Sequence, residues 1–209
     1  YCVLELERGL EAGEDPPDAP AELADAVTAI RLATAAPVSA GPVLFERLDW
    51  QPFGIRPVLP IAATQPPGEA TRLDSFRSEV ARDVLAALAL ADADTALAEA
   101  LDRWELSLFQ NGPFRTEQLR GSLAALFGDT WQLRAAALLG DVSGGRRELY
   151  ESLRDANVAA LESTARRSLV ETLRHGDRRD LVRSLDDVLL GLRSAYEQGT
   201  SHGAQAAAV

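Results

Sequence analysis

Leu97-Ala98-Glu99-Ala100-Leu101-Asp102-Arg103-Trp104-Glu105-Leu106-Ser107-Leu108 is the stretch on which the reading of the fold turns. Leu97, Leu101, Trp104 and Leu108 recur at intervals of four, three and four, which places them along one side of an α-helix. A helix with one apolar stripe must bury it against a partner, so the flanking sequence should carry the same period. Upstream, Leu73, Phe76, Val80, Val84 and Leu88 form a second stripe, separated from the first by the Asp92-Ala93-Asp94 break. Downstream, Asn111-Gly112-Pro113 interrupts the pattern, and Leu119, Leu123 and Leu126 resume it up to a stop at Gly128. Trp131, Leu138 and Gly140 mark a short fourth helix.

Beyond a turn expected at Gly140 to Gly145, Leu149, Leu153, Val158 and Leu161 predict one helix, and Leu169, Val170 and Leu173 predict another ending at Gly176. Asp177 is placed to cap a last helix with Leu181, Leu185, Val188 and Leu192 on its inner face. From Arg193 onward Gly, Ser, Gln and Ala lack any period. The expectation is a mainly α fold: a helical bundle over 70–193 and a disordered tail over 194–209.

The first 69 residues read differently. Tyr1-Cys2-Val3-Leu4-Glu5-Leu6 alternates like a strand entered mid-protein, and the chain has no Met at all, so it reads as a piece of a larger protein. Gly9 to Pro20 is an acidic, proline-bearing connection. A helix follows, with Pro20 and Glu22 in its first turn, Leu23, Val27, Ile30 and Thr34 at helical spacing, and Pro37 closing it. From Val38 to Gly68, six prolines exclude long helices and allow short or edge strands. Residues 1–69 are therefore expected to be the end of an upstream region: a strand, one helix and a proline-rich connector.

Composition removes several function classes. With 209 residues and 46% hydrophobic content the chain can bury one substantial core. No apolar run approaches a membrane span and no secretory signal opens the chain, so a cytoplasmic, non-membrane protein is expected. The single cysteine, Cys2, excludes an intrachain disulfide. All 21 basic residues are Arg, which excludes P-loop, Schiff-base and kinase chemistry that depends on a lysine. A net charge of -11 opposes a general nucleic-acid coat, yet Arg166, Arg167, Arg174, Arg178, Arg179 and Arg183 gather near the end.

Two histidines and one cysteine give no metal-ligand spacing, so neither metal nor cofactor is expected. Ser143 in Gly140-Asp141-Val142-Ser143-Gly144-Gly145 does not match a nucleophile elbow and reads as turn. Asp92 and Asp94 could be an acid-base pair, but a short acidic break between helices reads as solvated. Trp104 belongs to the core stripe, and Trp50, in the proline-rich connector, is the freest of the three tryptophans to stack on a base.

One resemblance runs through the bundle. Its phrases are Leu101-Asp102-Arg103-Trp104-Glu105, Arg115-Thr116-Glu117-Gln118-Leu119, Ser122-Leu123-Ala124-Ala125-Leu126-Phe127-Gly128, Leu133-Arg134-Ala135-Ala136-Ala137-Leu138-Leu139-Gly140 and Arg146-Arg147-Glu148-Leu149-Tyr150. In that order they resemble the core of ApeA-like HEPN domains, over about residues 95 to 193. The resemblance implies a HEPN-like helical bundle in a prokaryotic defence or toxin-antitoxin setting. Such families cut RNA with an Arg and a polar residue followed by a His; imidazole moves the proton and guanidinium holds the phosphate.

Arg154 and Asp155 stand at the first two of these positions, but the histidine position is Ala159, and Ala124 stands where the family phrase has Glu. The implied function is a catalytically inert scaffold for dimerisation or for binding RNA or a partner, with Arg166, Arg167, Arg174 and Arg178 as the RNA-facing set. The alternatives are an active metal-independent endoribonuclease that pairs Arg154 or Arg167 with His175, and a purely structural interaction domain. A homodimer through the bundle and RNA are the implied partners.

Overall fold

A computed structural model describes residues 5, 7, 9, 11–15, 18–38, 43–48, 51–57, 71–140 and 142–193, with the backbone alone at 43–48, 51–57 and 142–143. The chain divides into two compact units, Tyr1–Ala86 and Ala87–Val209. The strand expected at Tyr1–Leu6, the domain boundary at 69/70 and the tail over 194–209 lie outside the described residues, apart from Glu5.

In the first unit, α1 (Ala19–Thr34) begins where Asp18 Oδ1 accepts the Ala21 N–H at 3.4 Å and Pro20 occupies the first turn. It ends at Ala35, whose left-handed φ of 56° stops the helix before Pro37. Two strands follow, β1 (Val43–Leu48) and β2 (Gln51–Pro57), paired antiparallel. Glu46 faces Gly54 but Arg47 faces Pro52, so Phe53 is the extra residue of a bulge. Pro52 has no N–H to donate to the ladder, and a bulge is where a strand tolerates that loss. The helix α2 (Ser75–Ala93) opens at Asp74, whose Oδ1 accepts the Arg77 N–H at 2.9 Å, and it runs across the division between the units. Its stripe is buried at Val84 and Leu88, whereas Leu73, which precedes the helix, and Phe76, in its first turn, are exposed.

The second unit is a helical bundle. Asp94 ends α2 and caps α3 (Thr95–Leu108), its Oδ1 accepting the N–H groups of Ala96 and Leu97 at 3.0 and 3.2 Å. Gly112-Pro113 then starts α4 (Gly112–Phe127), proline being tolerated where the N–H has no helical acceptor. Next come α5 (Trp131–Leu139), α6 (Val142–Arg154), α7 (Val158–His175) and α8 (Arg178–Leu189). The helix α7 is central and touches α3, α4, α5, α6 and α8. Around it the apolar stripes interlock: Leu97, Leu101 and Trp104 from α3, Leu119, Leu123 and Leu126 from α4, Leu161, Leu169 and Leu173 from α7, and Leu181 and Leu185 from α8 are all buried.

Three sequence expectations need correction here. Gly144 and Gly145 lie inside α6 and not in a turn, since that helix begins at Val142. Leu192 is exposed beyond the end of α8, which stops at Leu189. The largest correction concerns residues 149–176: the interruption falls at 155–157, so Leu161 belongs with Leu169 and Leu173 on α7.

Local chemistry accounts for that break. The Asn157 N–H donates to Ser152 O at 3.0 Å and the Ala156 N–H to Leu153 O at 3.3 Å, while Ala156 takes a left-handed φ of 57°. This is the paired closure of a Schellman stop. Asn157 then starts the next helix, its Oδ1 accepting from the Ala160 N–H at 3.2 Å.

Candidate functional site

The break sets the fate of the residues expected to be catalytic. Arg154 is the last residue of α6, and its guanidinium meets the Asp155 carboxylate at 3.4 Å with both side chains about two-thirds exposed. Ala159, in the position where the resemblance implies histidine, is in the first turn of α7 and exposed. His175 is the last residue of the same helix. At 1.5 Å per residue, α7 puts about 25 Å between the turn that holds Arg154 and His175. One chain therefore does not bring these two groups to a single phosphate.

Arg167 is closer to His175 but still eight residues away, about 12 Å along the axis and about 80° around it. It is exposed on the bundle surface, whereas the half-buried His175 points Nε2 at Asp180 Oδ2, 3.9 Å away, across the turn into α8. At that turn Asp177 caps α8. Its pKa is lowered chiefly by the Asp180 N–H, against a desolvation cost, with help from the Arg179 N–H and from the charges of His175 and Arg179.

The arginines expected to face RNA separate into different environments. Arg166 is half-buried, Arg167 exposed, and Arg174 is paired with Glu171 at 3.3 Å on the surface. Arg178 is bonded within the bundle. Its Nε donates to Asp94 Oδ2 at 2.9 Å and its Nη1 to Leu126 O at 3.0 Å, with only 16% of the side chain exposed. A second arginine does the same work beside it: Arg134 makes two bonds to Asp186, at 2.8 and 2.9 Å, and donates to Phe127 O.

Carbonyls at a helix C-terminus have no partner within the helix, and here two guanidiniums supply them at the end of α4. Burial alone would raise the Asp94 pKa. The Arg178 hydrogen bond, the Leu97 N–H, the Arg178 charge and the Ala96 N–H outweigh it, so the carboxyl sits below its ordinary 3.8. Asp94 is thus a cap and an ion-pair anchor, and not the solvated acid that the Asp92-Ala93-Asp94 pattern suggests.

No protein-family model, curated protein or solved structure matches this chain.

Among the described residues, no three His, Cys, Asp or Glu side chains gather as a metal set, and no helix is long and apolar enough to cross a membrane. The side chain of Ser143 and all of Cys2, Trp50 and His202 lie outside the described residues. Trp104 is a core residue, 2% exposed.

An open groove of about 1020 Å³ follows the outer face of α4. Glu99 and Arg103 of α3 form one wall, and Trp131 of α5 with Ala156 of the helix stop forms the other. Arg103 bonds to Glu99 at 2.8 Å and leans over Gly121, where an added Cβ would lie 2.8 Å from its Nη1. Ala124 also lines it. The inward stripe of α4 hid this face from sequence reasoning, since small and charged residues at the complementary positions read as ordinary solvent-facing surface. The one available signal was a turn bare of large side chains, Gly121, Ala124 and Ala125, beside Glu117 and Arg120.

Proposed function

We propose that residues 70–193 form a HEPN-like module that is catalytically inert and serves as a binding scaffold, in a cytoplasmic defence or toxin-antitoxin protein as the resemblance implies. The observation that carries the reading is the separation of the would-be catalytic groups: Arg154 ends α6, just before α7 begins, and His175 is at the far end of α7. Metal-independent cleavage of RNA needs a proton-transfer group and a phosphate-holding cation within hydrogen-bond reach of one phosphodiester. Loss of His at Ala159 and of Glu at Ala124 agrees with it.

A protein partner is favoured over RNA. The net charge is -11, Arg178 and Arg134 are committed to carboxylates and helix carbonyls, and the α4 groove presents acids and bases in equal number. Phosphate recognition needs an uncompensated positive field, which such a surface lacks.

The test is incubation of the chain with a mixed single-stranded RNA pool in EDTA, alongside Arg154→Ala and His175→Ala. The expected result is no cleavage by any of the three. Cleavage by the unaltered chain that either substitution abolishes would establish the active-ribonuclease alternative. RNA binding that weakens steeply with salt would move the partner from protein to RNA.

A further inference from the structure

The chain contains two asparagines, Asn111 and Asn157, and each stands immediately before a helix. Their amides are used differently. The Asn157 Oδ1 accepts the Ala160 N–H at 3.2 Å and caps α7, which holds the amide against the helix. Asn111 precedes α4, but its side chain makes no capping hydrogen bond. One donor that a cap could use is missing, because Pro113 at the second helical position has no N–H. The residue that follows differs as well. Val158 is β-branched, so its methyls crowd its own backbone nitrogen. Gly112 has no side chain, and an added Cβ there would meet nothing within 4 Å. Both Asn111 and Gly112 are exposed.

We propose that Asn111 is a site of non-enzymatic deamidation, with water as the co-reactant, and that the fold protects Asn157 but not Asn111. The Gly112 nitrogen attacks Asn111 Cγ. The N–Cγ bond forms, the Cγ–Nδ2 bond breaks, and the amide proton leaves with the departing nitrogen as ammonia, closing a five-membered imide. Water then opens the ring on either side. Attack at Cγ restores the original main chain with an aspartate side chain in place of the asparagine. Attack at the Asn111 backbone carbonyl breaks its bond to Gly112 and leaves the main chain running through Cγ, an isoaspartate. Gly112 and Val158 both open their helices, where the N–H has no helical acceptor, so the discrimination rests on the cap and on the following side chain. Either product adds one negative charge to the -11 of the chain, at the positive end of the α4 dipole. Isoaspartate also adds a methylene to the backbone at the entry to α4, whose Pro113 lines the groove. The inference stands apart from the scaffold reading, since it needs neither a partner nor RNA.

The test is incubation of the full chain in heavy-oxygen water at neutral pH and physiological temperature, sampled over time and then cut after arginine. Residues 104–115 and 155–166 carry the two asparagines on separate peptides. Mass spectrometry should show the first peptide replacing an NH group with heavy oxygen and splitting into two products, about tenfold or more faster than the second. Unfolding in urea removes the α7 cap, so labelling of 155–166 should rise while that of 104–115 changes less. Asn111→Gln should abolish the fast labelling, because closure would then need a six-membered ring.

Equal rates at the two asparagines in the folded chain overturn the proposal. So does labelling of 104–115 only after unfolding, since the fold would then shield Asn111. Labelling that persists in Asn111→Gln places the reaction on a glutamine and overturns it as well.

Discussion

Arg134 and Arg178 carry the same guanidinium as Arg154, yet the first two are 19% and 16% exposed and Arg154 is 63% exposed. The buried pair anchor carboxylates brought from distant helices and fill carbonyls at the end of α4, whereas Arg154 meets only the carboxylate next to it in sequence. Identical chemistry therefore does structural work at one end of α4 and little at the end of α6. What separates them is the sequence distance of the partner. Asp94 is 84 residues from Arg178 and Asp186 is 52 from Arg134, so each bond holds two remote segments together. The Arg154–Asp155 contact constrains no tertiary arrangement, and solvent screens it.

Breaking the remote pairs should have the largest effect. Arg178→Ala leaves Asp94 without its counter-charge and Leu126 O without a donor, and a loss of about 3 kcal/mol in denaturant-unfolding stability is expected. Asp94→Asn keeps an oxygen for the α3 cap but removes the charge, so it should cost less, about 1–2 kcal/mol. A double-mutant cycle between the two positions should give a coupling that the corresponding Arg154 and Asp155 cycle lacks. Equal coupling in the two cycles would erase the distinction drawn above.

Acid sharpens the same comparison. The folded chain lowers the Asp94 pKa below 3.8, so folding favours the ionised carboxyl. The resulting stability is fully present above that value and is lost as pH falls through the lowered one. Stability measured from neutral pH down past 3.8 should show the gap between the unaltered chain and Asp94→Asn closing only at the acid end. A gap that closes near neutrality would assign the effect to another group.

The helices were legible because burial leaves a period. Leu97, Leu101 and Trp104 are all buried, and Asp177 caps α8 as its position before a fresh apolar period implies. The break at 155–157 was hidden because Leu153, Val158 and Leu161 fall near helical spacing on both sides of it. Asn157 was the available sign, a cap residue that also serves in loops. The role of Arg178 was not legible at all, since its surroundings in sequence, Arg174, Arg179 and Arg183, suggest a basic surface. No local pattern announces that a cation will be met by a carboxylate 84 residues earlier. The groove was missed for the opposite reason, because the small residues that line it, Gly121, Ala124 and Ala125, leave no periodic signal.

The helix stop between α6 and α7 gives the next effect in size, with the opposite sign. Ala156 holds a φ of 57°, a conformation in which its Cβ is strained and glycine is not. Ala156→Gly should raise unfolding stability by about 0.5–1 kcal/mol in thermal or urea denaturation. Loss of stability would mean that the Ala156 methyl, which lines the groove, contributes more by packing than its backbone costs.

The smallest effect belongs to Arg154. With 63% of the side chain in solvent and its carboxylate partner 68% exposed at the adjacent position, Arg154→Ala should change stability by less than about 0.5 kcal/mol. Its silence would be informative in a way that the loss at Arg178 is not. An arginine that can be removed without structural cost is available to a ligand, whereas one that anchors two helices is not. If Arg154→Ala is neutral in unfolding and also leaves RNA affinity unchanged across salt concentration, this exposed arginine has no role in either fold or phosphate binding. If affinity falls while stability holds, the end of α6 is the place where the bundle touches RNA, and the separation of Arg154 from His175 along α7 would then divide binding from cleavage.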